Sequence, residues 1–309
     1  MSRFRPVVRR DERGQVLVVF ALALVAIVAM TGLVIDGGDT FVRRRDQQNV
    51  ADQAAMAAGY AYMMNGYSTA SASNAAWNTA AANGYQNLTD GVSIQVGFDA
   101  PAVNGRHITV TVSKPHVNNF SGILGMPSWN VTTTATVVAG WANGVMGAMP
   151  IIFNIDAYTN HGTGPDNAFS YDEPPPGSED VPQTDQTFNW TMYCDDCNAD
   201  SNTVDALIVA GGMDTIVDIS MLITPLNAGS HATLYSDLAT YAVGTEFPVP
   251  LVSDDGLMVG FVMFHLTGSV GGSTKQLSGY FTGDVNPSSM TVRTDMPAGV
   301  GVARVYLTD

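Results

Sequence analysis

An uncharged apolar run near the N-terminus constrains the fold of this chain more than any other feature. The run extends over 21 residues, from Gln15 to Ile35, which matches the roughly 20 residues that an α-helix needs to cross a bilayer. A cleaved signal peptide has a shorter apolar core, about 7–15 residues long, followed by a small-residue cleavage site. The run is longer and no such site follows it, so we predict an uncleaved transmembrane helix at residues 15–35.

The basic residues around the run predict its orientation. Five arginines precede the run and three follow it: Arg3, Arg5, Arg9, Arg10 and Arg13, then Arg43, Arg44 and Arg45. Cytoplasmic flanks carry the excess of Lys and Arg, so residues 1–14 are predicted to be a cytoplasmic basic tail. The region after the span is then extracytoplasmic, in a single-pass protein of the cell (inner or plasma) membrane.

The remainder of the chain is acidic. From residue 46 onward it has five basic and 24 acidic residues, a net charge of −19. A surface of this charge repels phosphate backbones, which argues against nucleic acid as a partner. We interpret the acidic residues as keeping an exported, apolar-leaning domain soluble.

Small residues recur at helical spacing just after the span, at Ala51, Ala54, Ala55, Ala58 and Ala61. Such a face lets a neighbouring element approach closely, and that element is either the domain's own strands or another chain. A second helix and three strands are predicted at Ala70–Ala82, Val92–Phe98, His107–Ser113 and Trp129–Ala139. Together these elements predict a helix-plus-sheet domain at residues 36–140.

Residues 141–309 are predicted to form a β-rich extracytoplasmic domain of mixed structure. Its expected strands are Ile151–Ile155, Thr187–Tyr193, Glu246–Val252, Met258–Leu266, Gln276–Phe281 and Val300–Leu307, with helices near Thr203–Ala210 and His231–Val243. The Pro-, Gly- and Asp-rich segment Asn160–Gln186 is predicted to be a surface loop. The fold class is therefore α+β: one transmembrane helix continues into a long helix packed on a small sheet, and a β-rich mixed domain follows.

Catalytic motifs are missing from the sequence. It has no nucleophile elbow, zinc-protease, phosphate-loop or dinucleotide signature, and its five histidines are dispersed. We therefore predict a protein that is not an enzyme and has no cofactor. The two cysteines, Cys194 and Cys197, form one C-x-x-C in a polar segment, which predicts a local disulfide in an exported chain.

Two acidic motifs are candidate metal sites. Asp196, Asn198 and Asp200 place oxygen ligands at alternate positions, but Ser201 and Leu207 replace the Gly and Glu of an EF-hand loop. The favoured interpretation is a solvated loop held by the disulfide.

The second motif, at Asp218 and Ser220, approaches the metal motif of adhesion-type A domains. Leu222 removes the second hydroxyl of that motif, and fewer residues remain than such a domain needs.

The apolar run ends at Asp36, three arginines follow, and a helical stretch then contains Gln47, Gln48, Asn49, Ala51 and Asp52. This stretch, from the span to residue 59, resembles TadG-like proteins of the Flp/Tad pilus assembly system, within the TadE/TadG-like N-terminal region. Those proteins share a span ending in an aspartate, then arginines, then a helix similar to LQNAADAAALAAA. The matching residues are Asp36, Gln48, Asn49, Ala51 and Asp52, with Gln47 in place of the leucine. The later segments NNFSGILGM and SWNVTTTATVVAG resemble the same proteins.

The resemblance implies a membrane-anchored, non-enzymatic component of a Flp/Tad-type (type IVb) pilus or related secretion apparatus. Its partners would be other pilus assembly or envelope proteins, and its oligomeric state stays open. One alternative is an anchored ligand-binding or adhesive protein that depends on calcium. The other is a processed pseudopilin. Pilin-like members have a glutamate five residues after the cleaved glycine, whereas Val19 stands at that distance from Gly14, so we expect an unprocessed chain.

Overall fold

The computed structural model describes residues 13–175, 181–194, 200–226, 231–283 and 288–308. Its helices are α1 (Arg13–Met64), α2 (Thr69–Ala82), α3 (Ile155–His161), α4 (Ser201–Ala210) and α5 (Ala232–Asp237). A π-helical turn (Leu238–Ala242) follows α5, and 3-10 helices lie at Ser121–Leu124 and Pro165–Asn167.

The strands are β1 (Ser93–Phe98), β2 (Arg106–Val117), β3 (Ser128–Trp141), β4 (Gly144–Met146), β5 (Ile151–Asn154), β6 (Phe169–Asp172), β7 (Phe188–Tyr193), β8 (Ile216–Asp218), β9 (Ile223–Pro225), β10 (Glu246–Val252), β11 (Met258–Val270), β12 (Gln276–Thr282), β13 (Met290–Thr291), β14 (Val300–Gly301) and β15 (Ala303–Thr308). They form three sheets: β1-β2-β3-β15, β6-β12-β11-β10-β5-β7-β9 with β14 on β11, and β13-β4-β8.

The chain divides into two compact units, of which the first comprises residues 1–54, 77–96 and 110–135. Here α1 packs on β2 and β3 through its small-residue face, where Ala51 and Ala54 are fully buried. The sheet contributes buried Val110, Val112 and Val131, since alternate residues of a strand point to one side. On the other side, Thr111 pairs with Thr134 (3.2 Å) and Ser113 with Thr132 (3.0 Å) through their hydroxyls.

The second unit comprises residues 55–76, 97–109 and 136–309. Its core is aromatic: Phe153 contacts Tyr171 and Phe264 with ring centroids 4.9 Å apart in each pair. The unit also contains the pairing of β15 with β3, which is antiparallel from Ala303 opposite Trp141 to Thr308 opposite Thr136.

The α+β fold class is confirmed, and helix α2 and strands β1, β2, β3 and β10 lie where the patterns predicted them. The prediction of one surface loop from Asn160 to Gln186 is wrong in part. The described part of that segment contains strand β6, whose Tyr171 pairs with Leu277 of β12. The boundary between residues 140 and 141 stays a prediction.

Candidate functional site

Asp36 lies where the apolar run ends and is buried beside the connection between β2 and β3. Its Oδ1 accepts hydrogen bonds from the backbone N–H groups of Asn119 (2.9 Å) and Phe120 (3.2 Å). Its Oδ2 accepts from Phe120 (3.0 Å) and Ser121 (2.5 Å). One carboxylate therefore satisfies three consecutive backbone donors, and ionised acceptors make the stronger hydrogen bonds in proteins.

Gly32 lies one helical turn before Asp36, on the same face of α1, and is buried. A Cβ added at Gly32 would lie 2.6 Å from the Cβ of Phe120, closer than carbon atoms can approach without displacement. The glycine thus lets the β2–β3 connection lie directly against the helix.

Gln47 lies farther along the same face and is fully buried. Its Nε2 donates to the carbonyl oxygens of Val112 (2.7 Å) and Val131 (2.9 Å), which joins the helix to β2 and β3. Its Oε1 lies 3.3 Å from Nε2 of His116. Burial lowers the pKa of His116, and the positive charges of Arg43 and Lys114 lower it further, so a neutral imidazole that donates Nε2–H completes the network.

The other residues of the sequence motif divide between the sheet and the solvent. Gln48 Nε2 donates to Asp52 Oδ1 (2.8 Å) and to the carbonyl of Thr134 in β3 (3.0 Å). Ala51 is fully buried, and Asn49 is exposed. The motif therefore serves to attach α1 to the sheet, with Asn49 on the free side of the helix.

The apolar helix, the buried Asp36 and the face that carries Gln47 and Ala51 all lie within one continuous segment of the chain. Residues 14–76 match the family model described as Flp pilus-assembly TadE/G-like. These residues form a TadE/G-like domain. No curated protein and no solved structure matches the chain.

The TadE/G-like domain, as matched, contains Gly32, Asp36 and Gln47, but not the loop and strand residues that the side chains of Asp36 and Gln47 contact. It also contains the helix of the described chain that is long and apolar enough to cross a membrane. The hydrogen bonds of Asp36 and Gln47 lead from the matched segment to residues 112–131, well beyond it.

Sequence reasoning identified Asp36 but assigned no role to its partners in NNFSGILGM or to His116. In the sequence pattern, Gln47 is only a departure from the leucine of TadG-like proteins. The available signal was a polar side chain at a position where the helical repeat expects an apolar one, because such a residue needs a partner when it is buried.

The remaining predicted sites lie outside the TadE/G-like domain. Cys197, Asp196 and Asn198 lie outside the described residues, so the disulfide with Cys194 and the calcium candidate stay predictions. Asp200 caps the N-terminus of α4, where its Oδ1 accepts from the backbone N–H groups of Asn202 (2.9 Å) and Thr203 (3.0 Å). No group of three His, Cys, Asp or Glu side chains within the described ranges is arranged to hold a metal ion.

The A-domain-like motif forms a local turn. Oδ1 of Asp218 accepts a hydrogen bond from the backbone N–H of Ser220 (2.9 Å), and its Oδ2 lies 3.5 Å from Nη1 of Arg293. These contacts are those of a turn with an ion pair.

A second, largely buried ionisable cluster surrounds Glu173, in the larger unit. Its Oε1 lies 2.6 Å from Nδ1 of His231, and its Oε2 accepts from the hydroxyl of Tyr235 (2.6 Å) and lies 3.5 Å from Nζ of Lys275. Burial acts to raise the pKa of Glu173, but hydrogen bonds from His231 and Tyr235 outweigh it and hold the pKa below its ordinary value. The cluster joins the segment after β6 to α5.

Proposed function

We propose that this chain is a membrane-anchored, non-enzymatic structural component of a Flp/Tad-type pilus assembly apparatus. The observation that supports the proposal is the continuity of α1, which runs for 52 residues from Arg13 to Met64, about 78 Å of helix. Its first part is apolar on all sides, as in a membrane span, and its later part is buried on a sheet. One element is thus both the anchor and a core element of the folded region, which suits a protein that holds a domain at a fixed distance from the membrane.

The orientation follows from charge. The arginine excess before the span favours a cytoplasmic N-terminus, with the acidic folded region outside the cytoplasm. In that compartment its partners are other pilus assembly or envelope proteins.

The buried ionisable side chains support a structural role. Both carboxylate oxygens of Asp36 accept hydrogen bonds from backbone N–H groups, and the carboxylate of Glu173 contacts His231 and Tyr235. Neither carboxylate has the free access to a reacting group that general acid–base catalysis requires.

Deletion of the gene in the native cell, followed by complementation, tests the proposal. Flp filaments, counted by electron microscopy, are expected to disappear on deletion and to return with the full chain. A chain whose residues 15–35 are replaced by a cleavable signal sequence, so that the folded region is secreted, should not restore them. A control chain keeps Gly32 but has leucine at the other span positions; it should restore filaments because anchoring is preserved. Normal filaments in the deletion strain would contradict the proposal.

A further inference from the structure

The connection between β2 and β3 exposes apolar side chains. We define the apolar loop as Val117–Met126, which is the last residue of β2 and most of the connection, and it has no charged residue. Ile123 is 84% exposed and Val117 is 76% exposed, and Phe120 and Met126 are also exposed. Contiguous exposed apolar surface in a soluble region marks a contact with a partner or a membrane.

The apolar loop lies beside the membrane-spanning part of α1. The two enclose a cleft of about 320 Å³, lined by Leu24, Val25, Val28 and Ala29 of the span and by Phe120, Ser121 and Ile123 of the loop. At 1.5 Å per residue, positions 24–29 lie roughly 10–18 Å before Asp36 along the helix. Half of a hydrocarbon core is about 15 Å thick, so the loop reaches the depth of the lipid chains.

Many backbone N–H groups of the apolar loop have protein acceptors. A paired donor does not add the cost of an unsatisfied polar group when it leaves water. The N–H groups of residues 119–121 donate to Asp36. Further N–H groups donate to carbonyl oxygens just after the loop or within it: Asn118 to Pro127 (2.9 Å), Ile123 to Phe120 (3.1 Å), Gly125 to Gly122 (3.1 Å) and Met126 to Ser121 (3.1 Å).

We infer that the apolar loop inserts into the membrane leaflet on the side of the folded region, and that lipid acyl chains fill the cleft between the loop and α1. The inference rests on the proposed membrane anchoring. Lipid is the occupant because the cleft continues the outward-facing surface of the span, where Leu24, Val25 and Val28 are all more than half exposed. The folded region then contacts the membrane through both α1 and the apolar loop. This second contact fixes the rotation of α1 about its own axis.

Cysteine accessibility in nanodiscs that hold one full-length chain each tests the inference. Three variants are compared: Ile123→Cys in the loop, Val25→Cys in the span, and Asn49→Cys on an exposed part of α1 beyond the span. A membrane-impermeant maleimide is applied, and modification is quantified for each peptide by mass spectrometry, which keeps Cys194 and Cys197 separate. Ile123→Cys should react at least about tenfold more slowly than Asn49→Cys, because the thiolate is the reacting species and hydrocarbon disfavours charge. Both should react fully in denaturing detergent.

The span variant separates failure of the inference from failure of the anchor. If Val25→Cys is protected while Ile123→Cys reacts as fast as Asn49→Cys, the anchor stands and the inference is overturned. If Val25→Cys also reacts, the anchoring fails and the inference fails with it. Protection of Ile123→Cys that appears only in discs holding two chains would identify a second copy as the occupant and would overturn the lipid assignment.

Discussion

At the scale of single residues, Asp36 is the acceptor on which the position of the apolar loop depends. Asp36→Asn keeps the size of the side chain but leaves one acceptor oxygen and turns an NH₂ group toward backbone donors. Because hydrogen bonds to a charged group contribute about 1.5–3 kcal/mol each, we expect the loop to open more readily. Hydrogen exchange measured by mass spectrometry should show faster exchange in the peptide that contains residues 119–121.

Asp39→Asn is the matched control for this substitution. Asp39 is on the same helix, and its Oδ2 accepts from Nε of Arg43 at 2.8 Å on a solvated surface. Exposed pairs of this kind contribute about 0–1 kcal/mol, so exchange at residues 119–121 should stay as in the original chain. Equal exchange in the Asp36→Asn variant and the original chain would contradict the role assigned to Asp36.

Glu173 makes the stability of the folded chain depend on pH. The pKa of Glu173 is lowered in the folded state from an ordinary value of 4.5, so the unfolded chain binds more protons between the two values. The stabilisation is therefore complete above the unfolded pKa and is lost as the pH falls through the folded pKa. Glu173→Gln should lower the melting temperature at neutral pH and reduce its further fall between about pH 6 and pH 3.

The exposed carboxylate of Asp166 supplies the comparison for Glu173. Asp166→Asn should change neither the melting temperature at neutral pH nor its fall between about pH 6 and pH 3. Circular dichroism measures both quantities. If the melting temperature of the Glu173→Gln variant falls as steeply at low pH as that of the original chain, groups other than Glu173 cause the fall.

At the scale of elements, the small-residue face of α1 sets how closely the helix lies on the sheet. Ala51 is fully buried on this face, so Ala51→Leu adds volume where none is free and should cost about 1–3 kcal/mol. Ala81→Leu on α2, where the side chain is exposed, should change stability little. Denaturant unfolding measures both. Normal stability of Ala51→Leu together with a changed oligomeric state would mean that the face packs on another chain instead.

Local sequence patterns predicted α1 and strands β1 to β3 better than they predicted the contacts between these elements. The alanine spacing gave the buried face of α1, and alternation gave β1 to β3, because both patterns repeat within a few residues. The partners of Asp36 and Gln47 could not be read in this way, since they lie 65–85 positions away in sequence. Strand β6 was missed because its four residues FSYD lie among turn-forming residues, and its hydrogen bonds come from β12.

At the scale of the whole molecule, the sequence predicted the fold class but not the strand that pairs with β15. The strand near residues 300–307 was expected to belong to the β-rich region, whereas β15 pairs with β3. Its partners are more than 150 positions earlier, and a short alternating strand carries no information about which edge it joins. The pairing of β15 with β3 therefore had to come from the structure.

The state of the N-terminus decides whether the whole molecule is an anchored component or a processed subunit. Prepilin-type cleavage would fall between Gly14 and Gln15, and the residue five positions after Gly14 is Val19, an exposed apolar side chain in the span. A carboxylate at that position is costly to bury and persists only with a partner charge, and valine can supply no such pair. We expect the protein purified from native membranes to retain residues 1–14. Intact-mass measurement together with N-terminal sequencing would show this, and a mature chain that begins at Gln15 would establish the pseudopilin alternative.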